Sequence, residues 1–549
     1  MSTRSVPSSR LFARKATGLV RQASTFDVLV YNVNFISIGL MLLFLFLLVP
    51  AFYPGANLTV TTIAAFVMVL PTSLAFAMLA AAMPRSGGDY VYVSRILGPA
   101  WGMMSSWNNT FWWFVYGGVP SAFFARYGLG PLFRIIGVMT GSTTALNVGA
   151  WFVSSTGTFI TGVVLIVALV AIFSVGLGAY FRLQNVLFIL ANAGLLLTVI
   201  ALIGKGHGDA VHAVNRYLGP LAHRANVTSF VTSAGAKDGY TAAPFSFKWS
   251  IIPITWLYLE LVFNQSSAYI GGEVKRASRL QIWSMPAAAL YAIVWTLILV
   301  ALFTSSFGTG LMGQFDALTA TDLGKIGLSS TPIFTELAAW ISGSAIVGAL
   351  IGVAFVFWSY TWLPGQITNA SRNLLAYALD GLMPGWLGRV NDRLHTPVNS
   401  LILVGALSIL ALALYVFTTF FATLGGIFGF ILSFILTSIA AILFPYRKRD
   451  VFEGSPVAWR IAGIPVISIV GVLSLAACLV MEWIFLSDPL SGIGVFAQSP
   501  SPSYGQALAL LLINVAIFVS GLVIYLIARS VQRGRGVDVE QAFAEIPVD

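Results

Sequence analysis

Charge is what this sequence has least of. Of its 549 residues, 9% are Asp, Glu, Lys or Arg and 58% are apolar. A soluble domain carries about 25% charged residues. A water-facing shell cannot be built from so few, so most of the surface must face lipid. Cysteine is nearly absent as well: the single thiol, Cys478, stands in an apolar run. That excludes a disulfide framework and any cysteine-based metal site. Of 4 histidines, His207, His212 and His223 share one polar loop and His395 stands apart; they read as solvated side chains, not as ligands. No metal and no cofactor are expected. There is also no G-x-x-x-x-G-K-[ST] stretch, which argues against ATP-driven work by this chain alone.

What the chain does have is long apolar runs. A bilayer-crossing helix needs about 20 such residues. They occur at 27–51, 60–83, 101–125, 152–176, 183–204, 249–271, 286–306, 335–362, 399–419, 421–444, 464–487 and 506–529. The expected fold is therefore an all-α integral membrane protein of about twelve transmembrane helices. The boundary between the ninth and tenth runs, near Thr418–Phe421, is the least sharply marked. The first run is too long for a signal-peptide core of roughly 7–15 residues, and it reads as the first span.

Basic residues orient the spans. With the N-terminus inside, 21 of 29 Lys and Arg fall in inside segments, among them Arg4, Arg85, Arg276, Arg372, Arg447 and Arg533. Most of the outside remainder lies in or beside the long 205–248 loop, where the positive-inside rule weighs little. Both termini are expected in the cytoplasm, with the protein multi-pass in the cell membrane. The net charge of +10 then reads as a topology signal with anionic membrane lipids as partners, and not as a nucleic-acid footprint. The 205–248 loop has room for short helices but not for an independent core.

Three segments carry a family likeness. After the second run comes Leu79-Ala80-Ala81-Ala82-Met83-Pro84-Arg85-Ser86-Gly87-Gly88-Asp89-Tyr90, followed by Arg95, Gly98-Pro99 and Gly102. After the sixth comes Gly271-Gly272-Glu273-Val274-Lys275; after the eighth, Ser371-Arg372-Asn373 through Asp380-Gly381-Leu382-Met383-Pro384, then Thr396-Pro397. In this order and in inside loops, they resemble the amino acid–polyamine–organocation superfamily over about 20–445. The resemblance implies a LeuT-type fold. Its parts would be a cytoplasmic segment (1–26), a first repeat of helices 1–5 (27–204), an extracellular loop (205–248), and an inverted second repeat of helices 6–10 (249–444). Two further helices (464–529) and a cytoplasmic tail (530–549) would complete it. Substrate would bind near the bilayer midplane, where the first and sixth helices are broken.

Those breaks define the candidate site. A broken helix exposes N–H groups at a positive dipole end, suited to a carboxylate, and C=O groups suited to an ammonium. In the first run the family's glycine-rich break aligns on Ser37-Ile38-Gly39, with Asn32 and Asn34 just before it. In the sixth, it falls on Phe263-Asn264-Gln265, with neither the family's glycine nor its acid. The resulting substrate-binding set is Asn34, Ser37, Ile38, Gly39, Leu259, Phe263, Asn264 and Gln265. Glu260, between Leu259 and Leu261 in mid-span, is the candidate for proton or ion coupling, because a charge at membrane depth is costly and rarely kept without a role. Trp107, Trp112, Trp113 and Tyr116 are candidates for a cavity wall. Between Phe188 and Ile203 there is no lysine to couple a proton. Arg85, Asp89, Arg95, Glu273, Lys275, Arg372 and Asp380 are candidates for an inner gate, while Glu336 and Glu482 fall near outer span ends, where snorkelling is easy.

Taken together, these features imply a secondary active transporter for an amino acid or related amine, driven by protons or exchange. The alternative they leave open is a sensor of the same fold without turnover, favoured by the scarcity of glycine at both breaks. A membrane enzyme is disfavoured because Glu260 has no clustered acid or histidine beside it.

Overall fold

The computed structural model describes residues 18–419, 427–497 and 503–543. Apolar runs become helices because lipid offers backbone N–H and C=O groups no partner, and a helix satisfies them internally. In chain order these are α1 (Thr25–Ile36), α2 (Ile38–Phe52), α3 (Leu58–Ala82), α4 (Asp89–Ile96), α5 (Pro99–Tyr116), α6 (Val119–Phe123) and α7 (Gly130–Thr140). Next come α8 (Thr143–Val153), α9 (Ser155–Val175), α10 (Leu177–Leu202), α11 (His207–Ala222), α12 (Val227–Lys237), α13 (Phe247–Ile251) and α14 (Ile254–Leu261). The second half adds α15 (Ala277–Ser306), α16 (Gly308–Ala317), α17 (Ala320–Lys325), α18 (Phe334–Ser342), α19 (Ala345–Trp358) and α20 (Trp362–Leu379). It closes with α21 (Val398–Phe417), α22 (Ile427–Arg447), α23 (Arg449–Glu453), α24 (Val466–Ser487) and α25 (Tyr504–Gly534). A two-stranded antiparallel hairpin, β1 (Arg460–Ile461) and β2 (Ile464–Pro465), precedes α24.

Among the described residues, 11 helical stretches are long and apolar enough to cross a bilayer. The remaining apolar run, 249–271, is not one helix: α13 and α14 meet at Ile252-Pro253, and tight 3-10 turns take over from Val262 to Tyr269. The boundary expected near Thr418–Phe421 follows the end of α21 at Phe417, and residues 420–426 lie outside the described residues. α3 lies against α15 and α24, α10 against α19, and α25 against α5. Two helices occupy the 205–248 loop, and α12 packs on α16. There Asp238 Oδ2 accepts from the Thr319 N–H at 3.1 Å.

Both described chain ends meet at one end of the bundle. The backbone N–H groups of Gln22 and Ala23 donate to Glu273 O at 2.9 and 3.0 Å, and Lys275 N–H donates to Ala23 O at 3.0 Å. At the other chain end, the Phe543 ring lies 4.8 Å from the Arg95 guanidinium and 6.3 Å from the Tyr90 ring.

The snorkelling expected of Glu336 and Glu482 does not occur. Glu336 is fully buried and forms a two-point ion pair with Arg134, at 2.5 and 2.6 Å. Arg134 also donates to the Ser330 and Thr331 carbonyls at 3.1 and 3.2 Å. Glu482 is 7% exposed, and neither of its carboxyl oxygens has a hydrogen-bond partner among the described residues. Helix packing turns both side chains inward, which span position alone does not reveal.

Candidate substrate site

The first apolar run is broken at one residue. α1 ends where Ser37 adopts φ 53° and ψ 75°, a left-handed conformation rare outside glycine. The Ser37 hydroxyl donates to the Trp358 carbonyl at 2.9 Å, which fixes the residue across to α19. α2 then starts without a side-chain cap on the N–H groups of its first turn. The break therefore forms without glycine at the hinge, so the scarcity of glycine no longer speaks for a sensor. Gly39 has a different duty: a Cβ there would sit 2.8 Å from the Phe355 ring and against Trp358.

The second break is the 3-10 segment Val262–Tyr269, and side chains from four neighbouring helices hold it. Asn32 of α1 accepts from the Ser267 N–H at 2.9 Å and donates to Ser267 Oγ at 3.0 Å. Gln281 of α15 donates to the Ser267 carbonyl at 2.9 Å. Ser73 of α3 donates to Asn264 Oδ1 at 2.8 Å, and Asn369 of α20 donates to Ser266 Oγ at 2.8 Å. Unwound backbone at membrane depth persists only where protein replaces water as its partner, and these side chains do so. Breaks in the first and sixth runs, packed face to face, are what the resemblance implies.

A cavity of about 400 Å³ lies beside the breaks. Phe44 of α2, Tyr116 of α5, Val119 and Phe123 of α6, and Trp256 and Leu259 of α14 form one part of its wall. Phe263, Trp362 and Gln366 of α20, Tyr415 of α21 and Phe430 of α22 form the rest. Phe263 is 5.1 Å from Phe35 and 5.0 Å from Phe430, ring centre to ring centre. Phe44 lies beyond the Ser37 break, and Trp256 and Leu259 lie before the 3-10 segment, which sets the cavity on the side of the breaks away from the chain ends. Of the expected binding residues, Leu259 and Phe263 line this space; Asn34, Ser37, Ile38, Gly39, Asn264 and Gln265 are buried around the breaks without lining it. Of the four span-three aromatics, Tyr116 lines it. Trp112 and Trp113 are buried in helix packing, and Trp107 donates to Ser520 of α25 at 2.9 Å.

Glu260 is fully buried in α14 behind Leu259 and Phe263. Neither carboxyl oxygen makes a hydrogen bond among the described residues.

The end of the bundle that carries both chain ends is sealed by ion pairs. Arg372 holds Glu273 through two hydrogen bonds of 2.8 and 3.1 Å, and Arg95 holds Asp380 at 2.9 Å, all four side chains buried. Among the described residues Asp89 pairs with no arginine; it accepts from Ser105 Oγ at 2.7 Å and Asn109 Nδ2 at 3.2 Å. Its carboxyl, in the loop helix α4, is pushed up to about 6 by burial, against the pull of these hydrogen bonds. Since this value lies above the ordinary 3.8, folding favours the protonated form. That contribution is full below about pH 4 and is lost as pH rises through about 6. The melting temperature of purified protein is therefore expected to gain from acidification between pH 7 and 5, and Asp89→Asn to flatten that gain. An unchanged slope in the variant removes Asp89 as its source.

Comparison with known proteins decides the family, since the model of the family described as amino acid permease matches residues 30–488. The chain belongs to that family. An uncharacterized transporter of Mycobacterium tuberculosis is 24% identical to this permease, across 82% of the permease and 85% of the relative. The branched-chain amino acid permease BcaP of Bacillus subtilis is 23% identical, across 75% and 78%. Its namesake from Lactococcus lactis is 22% identical, across 77% and 81%. This permease is thus a multi-pass membrane protein of a transporter family.

The site residues expected from the sequence do not include Phe44, Val119, Phe123, Trp256, Trp362, Gln366, Tyr415 or Phe430. Aromatic residues make up 13% of the chain, and nothing local marks those that meet in one cavity.

Proposed function

We propose that this permease moves amino acids across the cell membrane by alternating access, with both termini in the cytoplasm and with uptake driven by protons or by exchange. The observation that carries this reading is the asymmetry about the breaks. The end bearing both chain ends is shut by Arg372–Glu273 and Arg95–Asp380, while the cavity lies in the half of the bundle beyond Phe35 and Phe263. With cytoplasmic termini this is a state closed to the inside, and rearranging the buried pairs would open the other side. The amino acids named for the BcaP relatives favour amino acids over other amines.

In this reading, substrate carboxylate and ammonium are met at the breaks, around Ser37, Ile38 and Gly39 and around Phe263, Asn264 and Gln265. Glu260 carries the proton: a carboxyl at this depth without a counter-ion is cheaper neutral than charged, and the cavity lies one residue away. Uptake of a labelled amino-acid mixture by proteoliposomes, with and without an inward proton gradient, tests the function. Uptake should rise with the gradient and collapse with an ionophore. Glu260→Gln should abolish that dependence and lower driven uptake about tenfold or more, a proton-transfer group typically being worth 10²–10⁴ in rate. Driven uptake at wild-type rate with the same pH dependence would exclude Glu260 as the carrier.

A further inference from the structure

The cavity wall is unusual in what it offers a ligand. Eight of its eleven side chains are aromatic: Phe44, Tyr116, Phe123, Trp256, Phe263, Trp362, Tyr415 and Phe430. Val119 and Leu259 are aliphatic, and no lining side chain is charged. The remaining one, Gln366, is 2% exposed, and its side-chain carbonyl oxygen has no hydrogen-bond partner among the described residues. A buried acceptor left unmade is costly, and this one belongs to a side chain on the cavity wall. We propose that the site takes neutral amino acids with a large apolar side chain, aromatic ones best, with the side chain inside the ring of aromatics and Gln366 accepting a hydrogen bond from the substrate. This rests on the amino-acid transport reading above and names the substrate class of the same site.

The physical argument works by exclusion and by fit. An aspartate or glutamate substrate would carry its side-chain charge into a wall of uncharged side chains. A lysine or arginine would find the nearby Glu260 in the neutral form proposed above, so either charge would go unpaired and is strongly disfavoured. A glycine, alanine or serine substrate would leave most of the 400 Å³ to water, which apolar walls hold poorly. A phenyl or indole group instead replaces that water, gains from the apolar area it buries, and can pack edge-to-face with rings on several sides. The pocket size falls in the range of sites that enclose most of a small ligand's surface, about 300–1,000 Å³.

Competition against labelled phenylalanine uptake, with the full chain in proteoliposomes, tests the class. Phenylalanine, tryptophan and leucine should each compete about tenfold or more better than alanine, and lysine and glutamate should not compete. Val119→Trp, which fills the cavity, should weaken phenylalanine about tenfold more than leucine. Gln366→Met should weaken all three bulky substrates alike. Ligand-dependent melting shifts of the detergent-solubilised protein, read with the same amino acids, separate the two claims. Shifts with phenylalanine and tryptophan but no uptake would overturn transport and uphold the class. Uptake preferring lysine, glutamate or alanine would overturn the class and uphold transport. Neither uptake nor shift with any amino acid would overturn both.

Discussion

Arg372→Ala is expected to lower stability by roughly 3–5 kcal/mol, because it strands the Glu273 carboxylate in the protein interior without its partner. Both side chains are almost wholly buried, and the pair is held by two hydrogen bonds of 2.8 and 3.1 Å. The loss falls on one end of the molecule. Glu273 also supplies the backbone carbonyl that receives Gln22 and Ala23, so freeing its side chain loosens the N-terminal segment together with α20. Melting of the purified protein measures the stability change. A cysteine at Ser371, in a Cys478→Ala background, measures the opening: it should be inert to a membrane-impermeant maleimide with Arg372 present and reactive in Arg372→Ala. The double variant Glu273→Leu/Arg372→Met should recover most of the lost stability, since apolar replacement of a buried pair is often neutral or better. Equal destabilisation in single and double variants would show that the ion pair is not the cause.

The second large effect is expected at Gly39. A Cβ there would meet the Phe355 ring at 2.8 Å and press on Trp358. Trp358 is no free rotor: its indole donates to the Ala191 carbonyl at 3.2 Å, and its own carbonyl receives the Ser37 hydroxyl. Gly39→Val should therefore push α2 away from α19 and cost about 1–3 kcal/mol by overpacking, with uptake falling further than melting temperature because the displaced helix starts at the break. Ser37→Gly, by contrast, relieves a left-handed conformation that serine tolerates poorly and removes only the hydroxyl bond. A Gly39→Val protein with normal uptake would mean that this contact does not set the position of α2.

The positions of these two residues show what one sequence can and cannot convey. The helical architecture was legible because lipid leaves the backbone so few choices: a run of about 20 apolar residues either crosses or does not. The sealing residues were legible as charges too, since Glu273, Arg372, Arg95 and Asp380 fall in the motif-bearing inside segments of a chain that has few charges. Their pairing was not, because Arg372 and Glu273 are 99 positions apart. Gly39 drew notice as the one glycine left in a glycine-rich motif, yet the left-handed hinge is Ser37 and Gly39 is needed for close approach. The sixth run looked continuous in hydropathy. Its unwinding is marked by the polar stretch Asn264–Ser267, whose bonds to Asn32, Ser73, Gln281 and Asn369 come from elsewhere in the chain. The cavity was least legible: its walls come from seven helices and the unwound segment, and helix rotation decides which aromatic faces it. Trp112 and Trp113, one helical turn before Tyr116, are buried in the packing.

The Phe543 ring on Arg95 bears on how the protein is handled. Its turn is tied back to the bundle: Glu540 pairs with Arg529 at 2.6 Å, and Gln532 donates to the Gly381 carbonyl at 2.8 Å, next to Asp380. The amino-terminal stretch is engaged in the same way through Gln22 and Ala23. Trimming is therefore not neutral at either extremity. A truncation that stops before Val539 strips the cover from Arg95, and one that begins after Ala23 takes the Gln22 and Ala23 N–H groups from the Glu273 carbonyl. Affinity handles belong beyond residue 543 or before residue 18, on linkers long enough to leave both of these fastenings in place.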